Sequence, residues 1–339
     1  MYSFTNDYSE GAHPRILEAL METTLTQNTG YGMDEEHCGH ARELIRREIG
    51  RPDASVHFLV GGTQANLTVI AAALKPWEAV ICASTGHINV HETGAVEATG
   101  HKVLTLPDPD GKVTPAMVLE ILDSHPDEHM VKPKMVYISN TTEIGTQYTK
   151  AELEALSHLC RQRELYLFLD GARLGAALAS SANDLTLADI AALTDVFYIG
   201  GTKNGALFGE AVVILNPQID QDFRYMIKQR GGMLAKGWLL GIQFETLFTD
   251  GLFYEMAGHA SRLADRLRAG LEERGFSFYS RSVSNQLFPI FSDELIEKLS
   301  ADFSFNIQAR IDDSHQAIRL VTSWATRAEA VDALLKALD

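Results

Sequence analysis

Three short segments carry residue types whose spacing could do chemistry. FLVGGTQANL sets Gly61, Gly62 and Thr63 directly after an apolar run and at the start of a helical pattern. Backbone N–H groups at a helix start bind phosphate with little help from side chains. FLDGARLGAAL ends an apolar run on Asp170, with Arg173 three residues on. Ligands gather at the C-terminal ends of parallel strands, so Asp170 either caps its loop or meets a cation, and both readings stay open. FYIGGTKNGALFGEAVVI places Lys203 just past another apolar run, among Gly200, Gly201 and Gly205. Glycines let a backbone approach a ligand closely. A lysine desolvated in such a pocket loses its proton more easily, which Schiff-base chemistry needs; the alternative is a turn lysine pointing to water.

In chain order these are a phosphate turn, a strand-end carboxylate and a lysine 33 residues after it. A pyridoxal phosphate (PLP) enzyme needs these three parts. The carboxylate keeps the pyridine nitrogen protonated so that the ring acts as an electron sink, the lysine bonds the cofactor, and the helix start takes its phosphate. Other chemistries lack their motifs. There is no GxGxxG after a strand, no GxxxxGK[ST], no HExxH, no CxxC and no GxSxG. His37-Cys38-x-His40 has no fourth ligand nearby and reads as a polar helix start rather than a metal site.

The elements that must position these residues follow from periodicity. Ala41, Leu44, Ile45 and Ile49 repeat at helical spacing; SVHFLVG, VICA, KVLTL, PKMVYIS, YLFLD, VFYIG and EAVVILN read as strands, several separated by helical patterns. Such alternation predicts an α/β fold with a mostly parallel sheet covered on both faces. Beyond about Phe253 come a helix through Ala260, Leu263, Ala264, Leu267 and Leu271, the strands FSFYS, QLFPIF and AIRLVTSW, and a closing helix. That predicts a small α+β C-terminal unit, with a large domain over 1–250 including an N-terminal arm and a small domain over 251–339.

The chain has 339 residues and a formal net charge of -16, from 29 Lys plus Arg against 45 Asp plus Glu. So acidic a surface excludes nucleic acid and anionic membrane as partners, and it makes each well-placed cation informative. MYSFTNDYSEGAHPRI has neither the basic nor the apolar region of a signal peptide, and the longest apolar run, LTVIAAAL, is far short of a membrane span. Three scattered cysteines, Cys38, Cys82 and Cys160, predict no disulfide framework and a cytoplasmic location.

Taken together, these segments resemble those of the threonine aldolase family, within the β-eliminating lyase group of fold-type I PLP enzymes. DGAR at Asp170–Arg173 matches the family's signature. GGTKNG at Gly200–Gly205, TGHINVHETGAVE, GYG around Tyr31 and IRLVTSW around Arg319 resemble its low-specificity L-threonine aldolase and phenylserine aldolase branch. The resemblance covers nearly the whole chain and implies a PLP-binding large domain built on a seven-stranded sheet.

Carried over residue by residue, it implies the following roles. Lys203 would bond the cofactor, and Asp170 would pair with the ring nitrogen. His87 would stack on the ring and lie near the substrate hydroxyl. Gly61, Gly62 and Thr63 would hold the phosphate. Arg173 and Arg319 would grip a substrate carboxylate, with Thr5 and Asn6 nearby. Tyr31 would come from a neighbouring subunit of a homodimer or tetramer. His91 and Glu92 read as solvated or as supports for His87. Before the resemblance, His87 reads as a polar core residue, Arg319 as an even choice between strand surface and site, and Tyr31 as a turn aromatic.

Departures from the family pattern stand at three places. Thr142 occupies the position where another branch carries a second histidine. Leu234 stands where an arginine would reach a neighbour's phosphate, leaving Lys236 as the substitute cation. Thr5-Asn6-Asp7 replaces a Ser-Asp pair, which leaves the third donor to the carboxylate open. The implied reaction is the reversible cleavage of L-threonine, L-allo-threonine or a related β-hydroxy-α-amino acid to glycine and an aldehyde, with His87 as base. β-Elimination, racemisation or aldehyde transfer are alternative outcomes on the same scaffold. A PLP-binding protein without turnover, or a dinucleotide-binding module, is the alternative from another class.

Overall fold

The computed structural model describes residues 1–108 and 110–339. A short strand β1 (Tyr2–Ser3) precedes the seven that form the main sheet. These are β2 (Ser55–Leu59), β3 (Glu78–Ala83), β4 (Val103–Leu106), β5 (Lys132–Ser139), β6 (Tyr166–Asp170), β7 (Val196–Gly200) and β8 (Glu210–Ile214). Their order across the sheet is β2-β8-β7-β6-β5-β3-β4. Five neighbours, β7 to β4, pair in parallel; β8 is antiparallel to both β7 and β2. Only β8 therefore runs against the rest, and its first residue, Glu210, lies at the edge where the other strands end.

β3, β7 and β8 are buried along their whole length. Strands covered on both faces read as continuous apolar runs, which is why the sequence marks them so clearly. One face packs under Ala65, Val69 and Ile70 of the helix Gly62–Ala73, with Tyr137, Phe168, Tyr198 and Val212 from the sheet. The other packs Val136, Leu169, Phe197 and Val213 against the helices of the opposite layer.

The C-terminal unit has a sheet of β10 (Ile290–Ser292), β13 (His315–Val321) and β12 (Asn306–Arg310), with β9 (Gln286–Leu287) also on β13. Every pairing on β13 is antiparallel. FSFYS, expected as a strand, makes only a bridge between Phe278 and Pro289. The chain start belongs with this unit: β1 pairs in parallel with β11 (Phe303–Ser304), and Phe4 packs with Leu267, Phe291 and Ile318. Four residues beyond β1, the buried Asp7 meets Arg173 from the loop after β6. The helix Leu252–Glu273 contacts both the helix Leu174–Ala179 and the closing helix Ala328–Ala337.

Candidate active site

A cavity of about 330 Å³ opens at the C-terminal edge of the main sheet, lined by Gly61, Gly62, Thr63, His87, Asp170, Arg173 and Lys203 among others. Each arrives from its own strand end. β2 runs into the Gly61 turn, β3 into His87, β6 ends on Asp170, and β7 ends three residues before Lys203. The crossovers of a parallel sheet bring these distant segments to one edge.

The phosphate turn has the expected form. Gly61 caps the helix Gly62–Ala73 with no side-chain hydrogen bond, so the first N–H groups of the helix have no intrahelical partner. A Cβ built on Gly61 would meet nothing within 4 Å. A Cβ on Gly62 would come to 3.0 Å from the Tyr198 hydroxyl, which packs the turn onto β7.

Asp170 is held on both oxygens. Oδ1 accepts the Ala172 N–H at 2.9 Å; Oδ2 accepts Asn66 Nδ2 at 3.2 Å and the Tyr137 hydroxyl. The same Asn66 nitrogen donates to Glu92 Oε1 at 2.7 Å. Glu92, whose side chain is fully buried, lies 2.7 Å from His87 Nδ1. One amide thus ties the histidine's carboxylate to the aspartate. Burial opposes a charge on His87, but the Glu92 hydrogen bond and the Asp170 charge outweigh it and hold its pKa above the ordinary value. The His87 backbone N–H donates to Glu143 at 3.0 Å, and the Ser139 hydroxyl donates to the same oxygen at 2.7 Å. Burial pushes the Glu143 carboxyl up.

Lys203 has its pKa lowered, first by burial and then by the Arg173 charge, which favours the neutral amine that bond formation requires. Arg173 meets Asp7 with Nε at 2.8 Å and Nη2 at 3.0 Å. Asp7 also accepts from Asn285 at 2.9 Å. Arg319 lies half-buried on β13, with Nη2 3.3 Å from the Thr5 carbonyl. Its Nε is buried and has no partner among the described residues. Burial and the neighbouring Arg173 charge both push its pKa down. Arg173 is thus matched to a buried carboxylate, while Arg319, which stands outside the cavity lining, keeps a donor without a partner among the described residues.

Not every residue singled out in the sequence comes to the cavity. Thr5 contributes its carbonyl to Arg319, while the Asn6 side chain is spent on the turn, accepting from Tyr8 N–H and the Ser9 hydroxyl. The neighbouring Asp7 is the member of that trio that reaches the site. Tyr31 lies on another surface, 48% exposed, with Lys228 over its ring at 5.0 Å and Arg224, Tyr225 and Met233 beside it. Lys236 is exposed and does not line the cavity. His91 is exposed beside His87 at 5.4 Å between ring centroids, whereas Glu92 is the buried support. His37 and His40 both bond Glu245, at 2.8 and 2.7 Å.

Sequence reasoning missed Asp7, Asn66, Glu143 and Glu210. Only Glu210 carried a local signal, as a lone acid opening the apolar run EAVVI; Asn66 in TQANLT and Glu143 in SNTTEIGTQ stand among other polar residues and are not marked out.

The family model of beta-eliminating lyases matches residues 12–294. The chain belongs to the beta-eliminating lyase family. Within reach of this family stands a low specificity L-threonine aldolase of Pseudomonas aeruginosa, 32% identical over 337 residues, covering 98% of this chain and 96% of the relative. A solved threonine aldolase of Leishmania major is 54% identical, with a TM-score of 0.98 over 100% of this chain and 98% of that one. An aspartate aminotransferase of Thermus thermophilus shares the fold at 18% identity, with a TM-score of 0.72 over 100% of this chain and 91% of that one. The chain is thus a fold-type I enzyme of the α/β class, with the mostly parallel sheet that the strand pattern predicts.

Proposed function

We propose that this lyase is a PLP-dependent aldolase that cleaves L-threonine, L-allo-threonine or a related β-hydroxy-α-amino acid reversibly to glycine and an aldehyde. The observation that carries the reading is the meeting of Lys203, Asp170 and the uncapped Gly61–Thr63 turn in one cavity. The likeness to threonine aldolases over nearly the full length supports the substrate class. These residues fit PLP: an amine of lowered proton affinity, a buried carboxylate for a ring nitrogen, and helix-start amides whose glycine leaves open space for a phosphate. Bound there, PLP supplies an electron sink for the pair released when a bond at the substrate Cα breaks.

The chain's own residues supply the rest. Lys203 would hold the cofactor through its amine, whose proton affinity is lowered by burial. Asp170, fixed by Tyr137, Asn66 and the Ala172 amide, keeps the ring nitrogen protonated. Arg319 takes the substrate carboxylate with a planar fork, and Arg173, clamped by Asp7, sets the wall and the field beside it. Orientation of the breaking bond by such anchors is worth a large part of the barrier. His87 Nδ1 faces a carboxylate, which only accepts, so that nitrogen carries the hydrogen and Nε2 is left to take the β-hydroxyl proton, directly or through water.

A homo-oligomer, dimer or tetramer, with shared sites accords with the exposed Tyr31, Met33 and Tyr225, and Lys236 would then serve a neighbour's phosphate. A cytoplasmic location accords with three free, buried cysteines. Among the described residues no helix is long and apolar enough to cross a membrane. The deciding experiment feeds the PLP-loaded protein L-threonine, L-allo-threonine and phenylserine and follows aldehyde and glycine. Aldehyde with stoichiometric glycine is expected. No aldehyde, with pyruvate and ammonia from serine or cysteine derivatives instead, overturns the aldolase reading in favour of β-elimination.

A further inference from the structure

The carboxyl of Glu210 lines the cavity without a part in the chemistry above. It opens β8, the one strand that runs against the sheet, so it stands at the edge where the other strands deliver their site residues. The side chain is buried. Oε1 accepts the Thr202 hydroxyl at 2.8 Å, and Oε2 has no partner among the described residues. Thr202 precedes Lys203 directly. Its hydroxyl also accepts the Gly209 N–H at 3.0 Å, and its own N–H bonds the Gly209 carbonyl at 3.2 Å. The loop carrying Lys203 is therefore closed at its base by Thr202, and Glu210 holds the clasp.

A buried carboxyl with one bare oxygen is costly to keep unless its proton matters. We propose that Glu210 is a positioning residue for the lysine: through Thr202 it fixes the Lys203 loop, and from the same cavity wall its carboxyl sets the charge beside the Lys203 amine. The titratable groups facing Glu210 are Lys203 on the loop, Asp170 from β6 and Tyr198 from β7; β2 sets Leu59 opposite it. Burial pushes the Glu210 carboxyl up to about 8; the Thr202 hydrogen bond and the Lys203 charge pull the other way, and the Asp170 charge adds to the rise. Burial thus raises the proton affinity of Glu210 while it lowers that of Lys203, which brings the two groups closer together. Charge at Glu210 favours the lysine-side proton, and a neutral Glu210 releases it.

The inference rests on the PLP reading, and one experiment separates their failures. The visible absorption of the PLP-loaded protein is titrated from neutral to alkaline pH in the wild type, in Glu210→Gln and in Thr202→Val. The wild type is expected to titrate in two coupled steps. Glu210→Gln is expected to titrate in one step, displaced downward by roughly one pH unit, because the neighbouring negative charge is gone. Thr202→Val keeps the acid but removes the hydrogen bond that favours its charged form, so the two steps persist and the one belonging to the acid moves up. This variant decides the matter should Glu210→Gln fail to fold. Wild-type curves in both variants, with colour and aldehyde release from L-threonine intact, overturn the Glu210 inference alone. A wild type that PLP cannot colour overturns the cofactor reading beneath it, and the Glu210 inference with it.

Discussion

Arg173 reaches Asp7 through two nitrogen donors, at 2.8 and 3.0 Å, and both side chains are largely withdrawn from water. The residues lie 166 positions apart and join the chain start to the loop after β6. A fork already matched to a carboxylate is not free for another. Arg173 therefore acts beside the substrate carboxylate as a fixed charge, and Arg319 is the guanidinium with a donor to spare.

Replacing Asp7 should accordingly damage folding and binding together. Burial alone would raise its pKa, but Arg173 and Lys203 outweigh burial and the folded value is depressed. A depressed carboxylate adds stability above its unfolded pKa and loses it as pH falls through the folded one. Asp7→Asn leaves Arg173 buried without its counter-charge, at a cost of about 3–5 kcal/mol for a broken buried pair. Urea unfolding at neutral pH should show that loss, and the gap between variant and wild type should close as the medium is made acidic enough to protonate Asp7. An equal gap at every pH would place the effect elsewhere.

Arg319→Gln tests the carboxylate site directly. The change removes the charge and the planar fork but little volume. A lost charge-assisted hydrogen bond of about 1.5–3 kcal/mol corresponds to roughly a 10–100-fold change. The rise should fall mainly on KM for L-threonine, with PLP binding and the melting temperature kept. A variant with unchanged KM would remove Arg319 from substrate binding.

Legibility in the sequence tracked how local each signal was. Asp170 and Lys203 could be read because each follows a continuous apolar strand, and a charged residue at such an end has few reasons to be there. The Gly61 turn could be read because its function lies in the backbone. Asp7, Asn285 and Arg173 form one cluster from three remote segments, and nothing in TNDYSEG marks Asp7 over Thr5 or Asn6. The β1–β11 pairing just before Asp7 rests on strands of two residues, too short to leave a periodic trace. FSFYS shows the converse: an apolar alternation that the fold leaves as a single bridge.

Glu92 sets the proton behaviour of His87. The folded pKa of His87 is raised, with burial opposing and Glu92 and Asp170 prevailing. In Glu92→Gln that support is lost and the pKa falls. A base limits the rate on the acid side of the profile, so the acid limb of kcat/KM should move to lower pH while the plateau drops, since a weaker base takes the hydroxyl proton less well. The stability linkage has the matching sign: wild-type His87 adds stability below its unfolded pKa and loses it as pH rises through the folded one. An unmoved acid limb would remove His87 from the proton-taking role.

Two glycines separate binding from folding. Gly61 adopts an extended backbone with φ of -176°, open to any residue, and a Cβ there meets nothing within 4 Å. Gly61→Ala should therefore fold with a melting temperature close to wild type, because a surface change without strain or lost contact stays within about 0.5 kcal/mol. Its methyl group occupies space that a phosphate needs against the helix-start amides, so PLP affinity should fall roughly tenfold or more, the scale of one weakened phosphate contact. Gly171 is the opposite case. A Cβ there would lie 1.9 Å from the Tyr198 carbonyl, which is backbone of β7 and cannot swing aside. Gly171→Ala must spread β6 from β7 next to Asp170, so it should unfold at markedly lower temperature even with saturating PLP. If Gly61→Ala lost stability while Gly171→Ala lost only PLP affinity, the phosphate would not lie on the Gly61 turn.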